Sequence, residues 1–86
     1  MIVLSAPSFD RAYNKLTDEN KKRVDSALQL FMIDPFDRRL WNHKLTGSKS
    51  GLRSFSAGYD LRILYKEQQG HAIVLLIKVG RHHEVY

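Results

Sequence analysis

The sequence predicts an α+β domain with a short N-terminal strand, a two-helix antiparallel hairpin and then a mostly antiparallel sheet, in the order β-α-α-β-β-β. Two patterns and the length of the chain support this class. Apolar residues recur at helical spacing in the first half, and alternating or β-branched segments fill the second half. The chain has 86 residues, and a domain of that size buries roughly 60–65% of its unfolded surface. One sheet and one helical layer therefore account for residues 1–86 as a single domain.

The first half of the chain is expected to begin with a strand and a helix. Residues 2–4 are apolar and prone to β structure. Pro7 suits the first turn of a helix, and Ser8 is a candidate N-cap. Behind them, four apolar residues share one helical face: Phe9, Ala12, Tyr13 and Leu16. This spacing predicts an amphipathic helix with one buried stripe.

A second helix is expected after a tight turn, which makes the two helices an antiparallel pair. Thr17 or Asp18 is placed to cap it, and the step from Asp34 to Pro35 ends it, because a residue before proline avoids helical geometry. The positions predicted to face the core are Val24, Ala27, Leu28, Phe31 and Met32.

The middle of the chain is expected to run from a loop into a hairpin. Residues 36–42 form the loop, with Leu40 and Trp41 packed against the core. Residues 52–57 alternate weakly, as a strand does, and residues 58–60 suit a hairpin turn.

The second strand of this hairpin has a clearer pattern. In residues 61–66 the side chains of Leu61, Ile63 and Tyr65 share one face, and Arg62 lies on the other. The strand is therefore expected to bury one face and to present its arginine on the opposite face.

An apolar run between Gly70 and Gly80 predicts the central strand of the sheet. Residues 73–79 are mostly β-branched, and consecutive apolar positions suggest cover on both faces. The run is too short to cross a bilayer, so no membrane association is expected. His71, in the turn before this strand, is expected to be exposed.

The charge is distributed unevenly along the chain. The formal net charge is +5 and the pI is near 9.8. Residues 1–34 carry five basic and five acidic residues, whereas residues 35–86 carry nine basic against four acidic residues and all four histidines. A polyanion is therefore the expected partner, with a merely soluble basic surface as the alternative.

Composition also excludes several classes of protein. The chain has no cysteine, so it can form neither disulfides nor thiolate metal sites. Its N-terminus lacks the basic segment and the long apolar run of a signal peptide. A cytoplasmic protein is therefore expected.

The densest group of chemically active side chains follows Gly80, and consists of Arg81, His82, His83, Glu84 and Tyr86. If the polyanion is RNA, its own 2′-hydroxyl can act as the nucleophile, and the protein need supply only a base, an acid and cations. Arg62 and Arg53, on the preceding strands, are expected to converge with this tail on one face of the sheet.

Other readings of these residues remain open. A metal site from His82, His83 and Glu84 is disfavoured, because neighbours on an extended chain point to opposite sides. No metal or cofactor is therefore predicted. Asp60 either orients a base or caps the hairpin turn, and His43 is either a site residue or a surface residue.

Three segments together resemble the RelE/ParE superfamily of bacterial toxins, most closely the RelE, YafQ and YoeB branches. They are HKLTG at residues 43–47, GLRSFSAGYDLRILY at residues 51–65 and VGRHHEVY at residues 79–86. The resemblance implies a RelE-like fold and ribosome-dependent cleavage of mRNA in the decoding site, with a cyclic phosphate as product. It also implies a cognate antitoxin, with which the chain would form a toxin–antitoxin hetero-oligomer.

Site residues follow from the resemblance position by position. The implied catalytic residues are His82, Arg62 and Tyr86, and the implied RNA-binding residues are Arg53, His43, Lys44, Arg81 and Asp60. The sequence departs from the family pattern at Phe55, Ser56 and Lys78, where RelE or YafQ has a lysine, a histidine and an arginine. The acid and base roles therefore do not carry over directly from either branch.

Two further functions are compatible with the same fold. A ParE-like protein poisons DNA gyrase without RNA chemistry, and has no chemical need for the His and Tyr tail. An inactive regulator that binds only an antitoxin is the third reading.

Overall fold

The computed structural model describes residues 1–86 and has one five-stranded sheet in the order β1-β5-β4-β3-β2. The strands are β1 (Ile2–Ser5), β2 (His43–Lys44), β3 (Arg53–Ser56), β4 (Leu61–Gln68) and β5 (Ile73–Arg81). The helices are α1 (Pro7–Asn14), α2 (Asp18–Ile33) and α3 (His82–Val85), with 3₁₀ turns at Arg38–Leu40 and Gly47–Lys49. Only β1 and β5 pair in parallel. The predicted α+β class is confirmed. The structure has two short elements that the predicted order lacks, β2 and α3.

Strand β5 is an interior strand, paired with β1 and β4, although β4 is the middle strand of the five. Val74 and Leu76 are buried under the helices, whereas Ile73 and Leu75 are half-buried on the other face. A bulge at Ile77, which has no partner in β4, shifts the alternation by one residue, so that Val79 is buried again. The predicted cover on both faces is therefore wrong. The reason is that both long helices lie on one side, and the short helix α3 reaches only the end of β5.

The helical hairpin begins as the sequence predicts, except at its first cap. Thr17 caps α2 and accepts a hydrogen bond of 3.2 Å from the backbone N–H of Asn20. Ala6, rather than Ser8, occupies the N-cap position of α1. The Ser8 hydroxyl instead donates to the backbone carbonyl of Ile77, because α1 runs along the part of β5 that β1 does not cover.

The core is centred on an aromatic group between α2 and the sheet. The ring of Phe31 stacks on Phe55 with centroids 4.4 Å apart and meets the edge of Tyr65 at 5.0 Å. Leu40 is buried as predicted. The apolar side of each β-strand therefore faces the helices, and the opposite face is left for other side chains.

Two residues predicted to pack in the core are exposed. Met32 is 53% exposed because the buried stripe of α2 runs through Val24, Ala27 and Phe31 and leaves Met32 on its flank. Trp41 is 77% exposed. Its backbone has φ of 52°, in the left-handed region, and this conformation turns the chain out of the 3₁₀ turn and carries the indole away from Leu40.

His71 is buried, which corrects the expectation of an exposed loop residue. Its Nε2 is 2.7 Å from the Tyr65 hydroxyl, and its ring lies against Phe36 with centroids 5.1 Å apart. Burial lowers the pKa of the His71 imidazole below its ordinary value of 6.5, although the Glu67 carboxylate opposes this shift. The turn before β5, with φ of 71° at His71, folds the ring back into the core.

This buried imidazole is expected to make folding stability depend on pH. Because the pKa of His71 is lower in the folded state, the unfolded chain takes up a proton more readily as the pH falls. The free energy of unfolding is therefore expected to decrease below about pH 6.5. Urea unfolding of the wild type and of His71→Gln between pH 5 and 8 checks this. The expectation fails if the wild type and the variant have equal pH slopes.

No helix in the chain is both long enough and apolar enough to span a membrane.

Candidate functional site

The face of the sheet opposite the helices carries the candidate site. Phe55 and Ile63 point into the core, so their neighbours Ser54, Ser56 and Arg62 point the other way, because strand side chains alternate. Ser56 pairs directly with Arg62 across β3 and β4. His43 in β2 pairs with Ser54, which places it on the same face.

Gly80 allows the C-terminal tail to return over this face. It is paired with Arg62 in the sheet, and a Cβ atom at this position would lie 3.3 Å from both Val85 and Glu84. The absence of a side chain therefore lets α3 pack closely on the strand. The Arg81 N–H donates to Glu84 Oε1 at 2.7 Å and stabilises the turn into α3.

Arg62 is held by neutral oxygen atoms alone. Its Nη1 donates to the carbonyl oxygens of Leu61 at 2.9 Å and Tyr59 at 3.3 Å, and to the Ser56 hydroxyl at 3.3 Å. Two ion pairs form between arginine and carboxylate side chains, and His71 lies 3.9 Å from Glu67; none of these contacts involves Arg62. The guanidinium is therefore fixed in position, its charge is not paired with a carboxylate, and its Nε and Nη2 remain available to an anion.

A second arginine near the site differs in this respect. Arg39 donates two hydrogen bonds, of 3.0 and 2.9 Å, to the side chain of Asp37. These hydrogen bonds lower the pKa of Asp37 to about 2. The charge of Arg39 is thus paired with a carboxylate, and Arg62 is the more available cation.

His43 has a defined hydrogen-bond arrangement. Its Nδ1 is 2.8 Å from the backbone carbonyl oxygen of Trp41. A carbonyl only accepts hydrogen bonds, so the proton of the neutral imidazole lies on Nδ1 and Nε2 keeps its lone pair. His43 can therefore accept a proton at Nε2.

His82 and Tyr86 come together because α3 forms one helical turn. The two rings meet edge to face with centroids 4.3 Å apart, and the Tyr86 N–H donates to the His82 carbonyl at 3.0 Å. The Tyr86 hydroxyl donates to the hydroxyl of the buried Ser54. This contact ties the tail to the middle of β3.

A single cleft contains these groups, and we call it the catalytic cleft because the residues predicted from the sequence to be catalytic line it. Its volume is about 490 Å³. Its lining residues are Arg39, Trp41, His43, Ser56, Gly58, Tyr59, Arg62, His82 and Tyr86. His83 does not line it. Four of the predicted site residues, His43, Arg62, His82 and Tyr86, thus meet in one place.

The other four predicted site residues lie elsewhere. Arg53 is on the core side of β3, where its Nε donates to Asn42 at 3.0 Å and its guanidinium lies 5.3 Å from the Phe36 ring. The expected convergence of Arg53 with Arg62 is therefore wrong. Successive residues of a strand face opposite ways, and Arg53 pairs with the buried Tyr65 whereas Arg62 pairs with Ser56.

Lys44, Arg81 and Asp60 also lie outside the catalytic cleft. Lys44 pairs with Arg53 and lines a smaller neighbouring cleft. Arg81 is exposed at the end of β5, and Asp60 is in the hairpin turn before β4. Arg81 therefore does not join Arg62 as expected. Binding of RNA by these three residues stays a prediction.

Sequence reasoning missed the aromatic walls of the catalytic cleft. Trp41 was expected in the core, and Tyr59 only as a turn residue, yet they are 77% and 95% exposed. The sequence contains one usable signal, since Tyr59 lies in a turn that leaves it no strand neighbours to pack against.

A larger cleft, of about 590 Å³, lies between α2 and the β3–β4 turn, but no imidazole or phenol lines it. Nowhere in the chain do three or more His, Asp or Glu side chains come close enough together to hold a metal ion.

Comparison with solved structures identifies the fold. A YoeB/ParE toxin from Agrobacterium tumefaciens superposes with a TM-score of 0.76 at 18% identity, covering 95% of this chain and 99% of that one. YafQ from E. coli strain BL21(DE3) gives 0.75 at 17% identity, covering 98% and 96%. The RelBE2 toxin–antitoxin complex from Mycobacterium tuberculosis gives 0.65 at 21% identity, covering 94% and 96%.

Sequence comparison gives no further relative, since no protein-family model and no curated protein matches the chain. The similarity to solved structures nevertheless extends over nearly the whole chain and nearly the whole of each neighbour. This similarity confirms the RelE-like fold that the sequence predicts. The chain therefore has the fold of the RelE/ParE-like toxins.

Proposed function

We propose that this protein is a toxin that cleaves mRNA on the translating ribosome. The observation that carries the proposal is the catalytic cleft, where an arginine without a carboxylate partner lies with two imidazoles and the phenol of Tyr86. This set matches RNA cleavage by the substrate's own 2′-hydroxyl, which requires a base, an acid and a cation at the phosphate.

Arg62 is the proposed phosphate ligand. Its Nη1 is occupied by three protein oxygens, whereas its Nε and Nη2 form a free edge. Two parallel N–H donors match two oxygens of a phosphate. Because the guanidinium is already held in place, it can stabilise the negative charge that develops on the phosphorane without reorganising.

The two histidines divide the proton transfers. His43 Nε2 takes the proton of the 2′-hydroxyl, and the 2′-oxygen forms a bond to phosphorus. The bond from phosphorus to the 5′-oxygen breaks, and protonated His82 gives its proton to that leaving oxygen. The products are a 2′,3′-cyclic phosphate and a 5′-hydroxyl. Tyr86 supports this step by packing against the His82 ring.

The proposed partners follow from the same site. The mRNA enters the catalytic cleft on the ribosome in the cytoplasm, and the positive charge of the chain favours both RNA and an acidic protein segment. One structurally similar protein was solved as a toxin–antitoxin complex. We propose that a cognate antitoxin likewise neutralises this chain.

Primer extension on mRNA from translating cells tests the proposed function. Induced expression is expected to produce cuts within codons, and these cuts are expected to disappear when initiation on the reporter mRNA is blocked. Growth arrest with intact mRNA and inhibited gyrase supercoiling would contradict the proposal and favour the ParE-like function. Intact mRNA with normal growth would favour a protein that only binds an antitoxin.

A further inference from the structure

Two aromatic residues form exposed walls of the catalytic cleft. Trp41 is 77% exposed and Tyr59 is 95% exposed, and both line the cleft with Arg62 and His82. Single exposed aromatic side chains are common. Here two of them lie in one cleft beside Arg62, whose charge has no carboxylate partner. This combination fits a ligand that has flat apolar faces and a negative charge.

The backbone of Trp41 adds a second observation. Its φ of 52° is in the left-handed region, which a bulky side chain rarely adopts. This conformation does not bury the indole. The conformation of Trp41 therefore stabilises the fold neither through a relaxed backbone nor through burial of the indole. Backbone strain of this kind is typical of residues positioned for binding.

Both aromatic residues are bonded through their backbones to the proposed catalytic groups. The carbonyl of Trp41 accepts from His43 Nδ1 at 2.8 Å, and the carbonyl of Tyr59 accepts from Arg62 Nη1 at 3.3 Å. These bonds fix the backbones of both residues relative to the groups that would hold the 2′-hydroxyl and the phosphate. A nucleotide strand bound at Arg62 would bring its adjacent bases to these rings.

We propose that Trp41 and Tyr59 stack on unpaired bases next to the phosphate bound at Arg62. This inference rests on the proposed function for the identity of the strand. Stacking requires the faces of the bases to be free, so the ligand is a single-stranded segment and not a duplex. Every base has a flat π-face, so these two contacts fix the position of the strand with little sequence preference.

The fluorescence of Trp41 provides a direct test, because it is the only tryptophan in the chain. The full chain is titrated with a short single-stranded RNA in which every 2′-hydroxyl is methylated, which removes the nucleophile and prevents cleavage. Anisotropy of a labelled copy measures binding. We expect strong quenching of Trp41 that follows the anisotropy curve, and little quenching by an abasic strand of equal charge.

Variants test the contribution of each ring. Trp41→Ala and Tyr59→Ala are each expected to weaken binding of the methylated RNA about tenfold, whereas binding of the abasic strand stays unchanged. Ile33→Ala is the control, because Ile33 is 82% exposed and does not line the catalytic cleft. Circular dichroism checks that every variant is folded.

Specific results would overturn the stacking proposal. They are RNA that does not bind, binding without a change in Trp41 fluorescence, or quenching of Trp41 by a protein partner but not by RNA. Cleavage of mRNA with no quenching would leave the proposed function intact and reject stacking. Quenching by methylated RNA without cleavage of unmodified mRNA would support stacking and reject the nuclease.

Discussion

Replacement of Arg62 by alanine is expected to lower the rate of mRNA cleavage about 100- to 1,000-fold. The reason is that Arg62 is fixed by three neutral oxygens and has no carboxylate partner. Its charge and its free Nε and Nη2 are therefore available to the phosphate of the proposed RNA substrate. Cells expressing Arg62→Ala are expected to grow, and primer extension is expected to show intact mRNA.

Two companion variants separate the role of Arg62 from charge alone. Arg62→Lys keeps the charge but loses the planar fork, so it is expected to recover only part of the activity. Lys66→Ala removes one positive charge from the exposed part of the same strand and is expected to cleave nearly as well as the wild type. If Lys66→Ala and Arg62→Ala lose equal activity, Arg62 has no special role at the phosphate.

Replacement of His82 by alanine is expected to reduce cleavage about 100- to 10,000-fold, the usual contribution of a general acid or base. His82 lines the catalytic cleft and packs against Tyr86 with ring centroids 4.3 Å apart. Its neighbour His83 is an imidazole in the same helical turn that does not line the cleft. His83→Ala is therefore the matched control and is expected to remain toxic.

Cleavage assays in translating extracts, with primer extension as the readout, measure both variants together. Full activity of His82→Ala would exclude His82 from the chemistry, and loss of activity only in His83→Ala would exchange the roles of the two residues. His43→Ala tests the other proposed proton transfer, in which His43 removes the proton of the 2′-hydroxyl. The double variant with His82→Ala is expected to lose much less cleavage activity than the product of the two single fold-losses, because the two groups act in one step.

The catalytic cleft is assembled from three separate parts of the chain. His43 comes from the short strand β2, Arg62 from the long strand β4, and His82 and Tyr86 from the tail after β5. Gly80 brings the tail over the sheet, and the contact of Tyr86 with Ser54 anchors it there. The arrangement of these side chains therefore depends on the correct pairing of β2, β3, β4 and β5.

Side-chain direction was the least predictable property of the site. Arg53 and Ser54 are neighbours in the sequence, yet Ser54 contacts Tyr86 in the site while Arg53 bonds to Asn42 on the core side. A shift of one residue in the strand register would exchange their faces. The alternation of apolar and polar residues over 52–57 is too weak to predict which of them face the core.

The burial of His71 and the exposure of Trp41 are both the opposite of what the sequence predicts. Both residues lie in connections where a left-handed backbone conformation sets the direction of the side chain. The apolar character of Trp41 predicts burial, and the turn around His71 predicts exposure. The turn geometry reverses both outcomes, with the His71 ring packed in the core and the indole on the surface.

Sequence patterns alone were enough to predict the α+β class, both helices of the hairpin and an interior position for β5 in the sheet. These properties depend on local periodicity and on β-branched composition, which operate over a few neighbouring residues. It also pointed to the tail with His82 and Tyr86, because active side chains are concentrated there. The folded structure was needed to show that His43 and Arg62 share a cleft with this tail and that Arg53 lies outside it. That result depends on strand register and on packing between residues far apart in the chain, which local patterns do not encode.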